Sequence, residues 1–195
     1  ETYITSGSRL EKKTGDQSRN FHLVLLATDI GGYYNLIKLV SLAHLEGFYY
    51  KPRIDREILA KYHQGLIGLS ACLHGEIAEA LLDDNMAKAV KIAGEYSEIL
   101  GKDNFFLELH DHGITEQRKV NKLLKELSAK TGLKTVATND VHYLKQEHSA
   151  AHEILLCLQT QSVLSNPSHM KYSTDEFYLK TREEMEKIFS EFPDS

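Results

Sequence analysis

The sequence is poor in cysteine and has no long apolar run, and both shortages narrow what the protein can be. Cys72 and Cys157 are the only cysteines among 195 residues. In a chain without an export signal, two isolated cysteines are more typical of free thiols or metal ligands than of a disulfide. The first residues, ETYITSGSRLEKK, are polar and do not resemble a signal peptide. No apolar run reaches the roughly 18 residues that span a membrane. These absences predict a cytoplasmic protein with no membrane partner.

Net positive charge is also lacking. The formal net charge is −5 and the isoelectric point is about 6.1, which excludes binding of nucleic acid over the whole surface. A site that held several metal cations would itself require carboxylates. The chain has 10 histidines, a high number that matters only where several of them converge.

No low-complexity tract or internal repeat is present, and strand-like segments alternate with helix-like ones. Apolar runs predict strands at 21–27, 66–71, 104–110 and 134–137. Periodicity and capping residues predict helices at 33–47, 86–100, 116–131, 149–159 and 181–189. The alternation favours one α/β domain with parallel strands, in which chemistry gathers at the carboxyl ends of the strands.

Two of these strand ends carry residue types that bind metals. The strand 66–71 runs directly into Cys72, and the strand 134–137 leads to Asp140 and His142. Side chains at i and i+2 of an extended segment point to the same side, so Asp140 and His142 can face one ion. Thiolate, imidazole and carboxylate suit zinc, and the carboxylate also suits manganese. The sequence therefore predicts a metal site to which at least two strand ends contribute.

A third strand end offers an equal rival by spacing. His110 and His112 are also two residues apart, before Gly113. The alternative interpretation is a polar strand end whose side chains hydrogen-bond the backbone. His148 and His152, four residues apart on a helix, either clamp a metal or form a helix face beside the site, and the second interpretation is favoured.

Other polar positions have no partner in the sequence. The remaining histidines considered singly are interpreted as surface or satisfied core residues: His44, His63, His74 and His169. The basic run 51–56 either contacts DNA or a partner or forms a solvated helix start, which is the favoured interpretation.

Longer motifs connect these residues to a known family. Six segments carry the resemblance, in order: FHLVLLATDIGGYYNLIKLVSLAHLEGFYYKPRID, GLIGLSACLHGEI, FFLELHDHGITEQRKVN, TVATNDVHYL, HEILLCLQT and DEFYLKTREEM. Together they resemble the PHP (polymerase and histidinol phosphatase) domain of the alpha subunit of bacterial DNA polymerase III. The resemblance covers nearly the whole chain. It implies an α/β fold, a distorted, TIM-like (βα)7 barrel with a multinuclear metal site at one mouth.

The resemblance also implies a ligand set. It assigns metal-binding roles to five residues that match the family's motifs: Glu1, His22, Cys72, Asp140 and His142. It does not select His110 or His112. His22 stands at the start of its apolar run rather than at its end, so either that strand runs the other way or it begins earlier.

Parts of the family pattern are not within this chain. The family's opening His-x-His pair, an Asp and a further His have no counterpart, because the sequence begins at Glu1. The resemblance therefore implies a PHP fragment over 1–195, truncated at its N-terminus, with about 163–195 leading out towards the polymerase palm. It implies two or three zinc or manganese ions in the complete site, bound weakly or not at all by the fragment.

The implied function lies in DNA replication. The domain would hydrolyse a phosphodiester at a DNA 3′ end, as a 3′–5′ exonuclease that proofreads, within a polymerase that contacts other holoenzyme subunits. In some members the ligands are lost and the domain is a metal-independent structural and docking module, which is the alternative. A free-standing PHP phosphatase is a further alternative, and the CLQT…DEFYLKTREEM tail argues against it.

Overall fold

The fold is built on a mixed β-sheet. The computed structural model describes residues 1–12 and 19–195. Within these residues the sheet has six strands. They are β1 (Thr2–Thr5), β2 (Asn20–Ala27), β3 (Arg53–Ile54), β4 (Leu66–Leu69), β5 (Phe105–Leu109) and β6 (Thr135–Ala137). Their order across the sheet is β3-β1-β2-β4-β5-β6.

Helices cover the sheet and connect its strands. They are α1 (Ile30–Leu45), α2 (Arg56–Lys61), α3 (Glu76–Leu82), α4 (Met86–Leu100), α5 (Thr115–Thr131), α6 (Ser149–Gln159) and α7 (Arg182–Ile188). Every predicted strand and helix is confirmed with similar bounds. The elements β1, β3, α2 and α3 were not predicted, because two to seven residues are too few to establish a periodicity. Among the described helices, none has both the length and the apolar character needed to cross a bilayer.

Strand direction differs from the predicted parallel arrangement. Strands β4, β5 and β6 are parallel, whereas β2 runs antiparallel to both β1 and β4. Parallel neighbours need a crossover connection, which is usually helical. Helices α3 and α4 connect β4 to β5, and α5 connects β5 to β6. The described residues between β1 and β2 contain no α-helix. The wholly parallel prediction is therefore wrong, and of the two possibilities for His22, its strand runs the other way.

The sheet is open over the described residues. Its order ends at β3 on one side and at β6 on the other, and no pairing joins these two edges. The mixed α/β class is confirmed. The predicted distorted (βα)7 barrel, truncated at its N-terminus, is not confirmed, because the sheet of the described residues is not closed. Closure would require further strands between the two edges, since a barrel has no unpaired edge.

A single apolar core lies between the sheet and its helices. Phe105, Leu107 and Leu109 of β5 are fully buried, each with 0% exposure. One face of α5 packs on this core, because Val120 and Leu127 are buried against it. Full burial of such side chains stabilises the fold by about 1.5–3 kcal/mol each. The same packing holds the carboxyl end of β5 in place beside those of β4 and β6.

Two of the three cations in the basic run 51–56 are bound within the protein rather than solvated, which differs from the predicted solvated helix start. Arg53 is only 1% exposed, and its guanidinium donates to the carbonyl oxygens of Gly47, Arg9 and Glu11 at 2.9–3.0 Å. Arg56 begins α2 and pairs with Glu76 at 2.8 Å. Buried carbonyl and carboxylate acceptors satisfy these cations, so the run is a structural pin.

Close backbone packing at the start of α1 yields a stability prediction. A Cβ on Gly32 would lie 1.9 Å from the carbonyl oxygen of Gly65. We expect Gly32→Ala to lower the free energy of unfolding by roughly 1–3 kcal/mol, the usual cost of overpacking. Denaturant unfolding measures this. Gly94→Ala in α4 is the matched control, because nothing lies within 4 Å of its Cβ and alanine is about 1 kcal/mol better in a helix. Equal effects of the two substitutions would contradict the packing argument.

His169 ties the segment after α6 to that helix and makes its stability depend on pH. Its Nε2 lies 2.5 Å from Glu153 Oε1 and its Nδ1 lies 2.6 Å from the Asn166 carbonyl oxygen. Both partners are acceptors, so both ring nitrogens must carry protons. The Asn166 carbonyl and then the Glu153 carboxylate raise the pKa of His169 above 6.5. This histidine is satisfied, as the sequence predicted.

The resulting prediction follows from linkage. A raised folded-state pKa stabilises the protein below the unfolded value of 6.5, and this stabilisation is lost as pH rises through the folded pKa. We expect the wild type to lose stability relative to His169→Gln over that interval, measured by denaturant unfolding at several pH values. His63→Gln is the control, since His63 Nδ1 also lies close to a backbone carbonyl oxygen, 2.7 Å from that of Ala60, but in a different part of the chain. Parallel stability curves for wild type and His169→Gln would contradict the prediction.

Candidate metal centre

Three of the predicted ligands converge at the amino end of β2. One ligand atom each from Glu1, His22 and Cys72 lies within 4.8 Å of the other two. His22 Nδ1 is 2.5 Å from Glu1 Oε1 and 3.4 Å from Cys72 Sγ. A carboxylate, an imidazole and a sulfur in contact form a donor set that suits zinc.

The strands bring these residues together. Glu1 immediately precedes β1, and His22 pairs with Tyr3 across the antiparallel ladder, so the two side chains meet at one end of the ladder. The Tyr3 ring lies edge-on to the His22 ring, with centroids 5.2 Å apart. This contact restricts the orientation of the imidazole.

A tight turn after β4 delivers Cys72 to the same place. Ala71 has a φ of 63°, which turns the chain sharply at the strand end. Gly75 forms a bridge to His22, and a Cβ at Gly75 would lie 2.2 Å from the Ser70 carbonyl oxygen. The close turn therefore requires glycine there, and it holds Cys72 against the amino end of β2.

The electrostatics of this cluster favour positive charge at its centre. The hydrogen bond that His22 donates to the Cys72 sulfur, followed by that to the Glu1 carboxylate, raises the pKa of His22 to about 10 against the opposing effect of burial. The hydrogen bond with His22 in turn lowers the pKa of Glu1. In the absence of a metal, a proton on His22 thus balances the acidic partner. A bound cation would have to displace that proton, so metal affinity is expected to rise with pH.

Asp140 and His142 lie on the wall of the same cavity but outside the three-residue cluster. The cavity has a volume of about 330 Å³ and is lined by all five predicted ligands. The two residues are not on an extended segment as predicted, because β6 ends at Ala137 and Asp140 has a left-handed φ of 43°. His142 Nδ1 lies 2.9 Å from the Asp140 carbonyl oxygen. This bond leaves His142 Nε2 as the nitrogen that can bind an ion.

The rival pair lies inside the protein. His110 is 6% exposed and His112 is 1% exposed, and neither lines the cavity of the five predicted ligands. His112 bonds the Asn139 carbonyl oxygen through Nε2 at 2.8 Å. Asp111 accepts a hydrogen bond from the Gly113 amide at 2.8 Å. The geometry matches the polar strand end that the sequence left open as the alternative.

Sequence reasoning missed several residues beside the candidate centre. His74 lies with its ring 5.4 Å from that of His22 and also lines the cavity. The ring centroids of Tyr172 and Phe177 lie 4.9 and 5.4 Å from that of His142. The ring centroid of His152 lies 5.8 Å from it. Unlike the other three, His152 was named from the sequence as a residue beside the site, and it lies in α6 beside it, as the favoured interpretation had it. Only the spacing of His74 after Cys72 offered a signal for any of the other three, because Tyr172 and Phe177 come from distant segments.

The His22 environment yields a prediction for the metal-free protein. We expect Cys72→Ala, and separately Glu1→Gln, to lower the pKa of His22 from about 10 towards 6.5, because each removes a partner of the imidazolium. An NMR titration of the His22 ring measures this. Cys157→Ala is the control, since that cysteine is buried in α6 and is not among the groups that shift His22. A His22 pKa that stayed near 10 in both site variants would show that neither partner acts as described.

Comparison with known proteins shows which family the chain belongs to. The family model described as "PHP domain" matches residues 1–112, which is more than half of the chain and includes Glu1, His22 and Cys72. The chain is 48% identical over 193 residues to the DNA polymerase III subunit alpha of Thermus aquaticus, covering 98% of this chain and 16% of that protein.

Two further relatives extend the similarity to the remaining residues. The subunit alpha of Treponema pallidum is 44% identical over 195 residues, covering 100% of this chain and 17% of that protein. That of Borreliella burgdorferi is 40% identical over 196 residues, with the same two coverages of 100% and 17%. The chain thus spans about a sixth of the length of the curated relatives it matches. These matches show that the chain belongs to the PHP domain family.

Proposed function

We propose that this chain is the PHP domain of a bacterial DNA polymerase III alpha subunit, and that its cavity is part of a divalent-metal phosphoesterase site. The observation that carries the proposal is the convergence of Glu1, His22 and Cys72 within 4.8 Å. These three donor types together suit a divalent transition-metal ion. The similarity to polymerase alpha subunits supplies the replicative context.

The side chains of the cavity fit zinc or manganese. The ligands would be Glu1, His22, Cys72, Asp140 and His142, with two or three ions in the complete site. Bound divalent cations activate a water molecule and neutralise charge on phosphate oxygens. His22 gives up its proton to bind, and His142 presents Nε2 because its Nδ1 faces the Asp140 carbonyl oxygen.

The substrate would be a phosphodiester at a DNA 3′ end. With a net charge of −5, the domain has no broad basic surface for DNA, so cations in the cavity would attract the phosphate. Tyr172 and Phe177 line the same cavity. Removal of nucleotides from the 3′ end would make the domain a 3′–5′ exonuclease that proofreads within the holoenzyme.

The complete protein would also complete the fold. In this proposal, further strands join the open edges β3 and β6 into a (βα)7 barrel, and their ligands finish the metal site. Residues from about 163 onward would lead towards the polymerase palm. The 195-residue chain alone is therefore expected to show no nuclease activity.

Metal content and nuclease activity test the proposal together. We expect the complete polypeptide to contain stoichiometric zinc or manganese by elemental analysis, and Cys72→Ala to lower that content because it removes a ligand. Asp140→Asn should abolish metal-dependent degradation of a 3′-labelled DNA strand. Cys157→Ala is the control and should change neither quantity. Degradation that persisted in Asp140→Asn would contradict the proposal.

A second candidate function is a metal-independent docking module. The outward face of α1 exposes large apolar side chains, including Ile30 at 67%, Tyr34 at 64% and Leu45 at 82%. These residues recur at helical spacing, and such a stripe is typical of an interface with another element. Metal-free complete protein with full polymerase activity would favour this function over the phosphoesterase.

A further inference from the structure

The two histidines at the end of β5 contact the loop that carries Asp140 and His142. His110 Nε2 lies 2.7 Å from Thr138 Oγ1, and His112 Nε2 lies 2.8 Å from the Asn139 carbonyl oxygen. Thr138 and Asn139 directly precede Asp140 in the chain. Each histidine thus holds one of the two residues that lead into the candidate ligands.

This loop needs external support. Strand β6 ends at Ala137, and the Asp140 backbone has a φ of 43°, in the left-handed region that few residues other than glycine adopt. The side-chain amide of Asn139 also donates to the Tyr178 carbonyl oxygen at 2.7 Å. Contacts from the segment that follows β5 and from residue 178 together hold the chain in this left-handed conformation.

His112 is itself held rigidly. Gln117 Oε1 accepts a hydrogen bond from the backbone amide of His112 at 2.8 Å. Gln117 Nε2 lies 2.9 Å from His112 Nδ1. Because Gln117 Nε2 is a donor, Nδ1 accepts, and Nε2 carries the proton that His112 donates to Asn139. The imidazole also stacks on Phe177, with centroids 4.1 Å apart and an interplanar angle of 9°. Its orientation is therefore set on both edges and one face.

His110 belongs to a second buried group. The Thr138 hydroxyl donates to Glu108 Oε1 at 2.5 Å, so its oxygen accepts from His110 Nε2. The Asn121 amide donates to the His110 carbonyl oxygen at 3.0 Å. Glu108 and His110 are each 6% exposed. Burial of such polar groups is unfavourable unless their hydrogen bonds are made. Two apolar side chains in place of Glu108 and His110 would avoid this cost, so the polar pair indicates a role besides packing.

We propose that His110 and His112 are positioning residues for the candidate metal centre, acting through Thr138 and Asn139 to fix Asp140 and His142. The inference rests on the proposed metal-binding function, which it deepens. It assigns the pair that the sequence offered as rival ligands to support of the loop instead. Outer-shell partners of this kind set the orientation of ligands and hence the affinity for the ion.

Substitutions of His112 separate positioning from packing. His112→Gln keeps a donor near the place of Nε2 and should preserve the bond to Asn139. His112→Asn keeps a polar group only near the place of Nδ1 and should lose that bond. Tyr96→Phe is the matched control, since it removes a buried hydrogen bond to Glu76 at 2.9 Å that lies on other elements.

Amide hydrogen exchange tests the inference without any metal. In the complete polypeptide, we expect His112→Asn to accelerate exchange at residues 140–142, with His112→Gln close to wild type and Tyr96→Phe unchanged there. His110→Gln, which keeps a donor to Thr138, should also remain close to wild type, whereas His110→Leu should accelerate exchange. Unchanged exchange in both His112→Asn and His110→Leu would overturn the inference.

Calorimetric titration with zinc or manganese alone tests its consequence. We expect His112→Asn to weaken binding by roughly 10-fold to 100-fold, and His112→Gln to restore most of the affinity. An equal loss in Tyr96→Phe would overturn the inference, because general destabilisation would then explain it. A wild-type protein that bound neither metal would overturn the proposed function, and amide exchange would still decide whether the two histidines position the loop.

Discussion

The antiparallel pairing of β2 with both β1 and β4 is the constraint on which the site depends. His22 lies near the amino end of β2. Because β2 is antiparallel to β4, this puts His22 beside the carboxyl end of β4, and the carboxyl end of β6 lies on the same side of the sheet. A strand of eight residues separates its two ends by roughly 23 Å at about 3.3 Å per residue. If β2 were parallel to β4, His22 would lie at the opposite edge from Cys72. Strand direction thus decides whether a cluster exists.

The charge within the cavity is suited to the proposed cation. The Cys72 sulfur and then Glu1 raise the pKa of His22 to about 10, so the metal-free cluster keeps a proton between its donors. In the proposed site a divalent ion would replace that proton, because the same three donors would then face it. The overall negative charge of the chain agrees with a site that attracts cations first and phosphate through them.

The interior behind the cavity is polar where a purely structural core would be apolar. His112 is only 1% exposed, yet both nitrogens of its ring form hydrogen bonds, one with Gln117 and one with Asn139. Its stacking on Phe177 links this group to the ring of His142, which lies 5.4 Å from the same phenylalanine. Catalytic geometry in such a protein would depend on this buried network as much as on the ligands, since each layer orients the next.

The sequence by itself determined the α/β class, most element bounds and the residue types of the candidate centre. Apolar periodicity located α5 and β5, and the family motifs selected Cys72, Asp140 and His142, because both are local patterns of residues. Only the tertiary structure decided the direction of β2, the open sheet and the burial of His110 and His112. Those features depend on pairing and packing between segments far apart in the chain, such as Gly75 against His22 and Asn139 against His112. Residue spacing along the chain carries no record of such contacts, so two equally spaced pairs acquired different roles only when the chain folded.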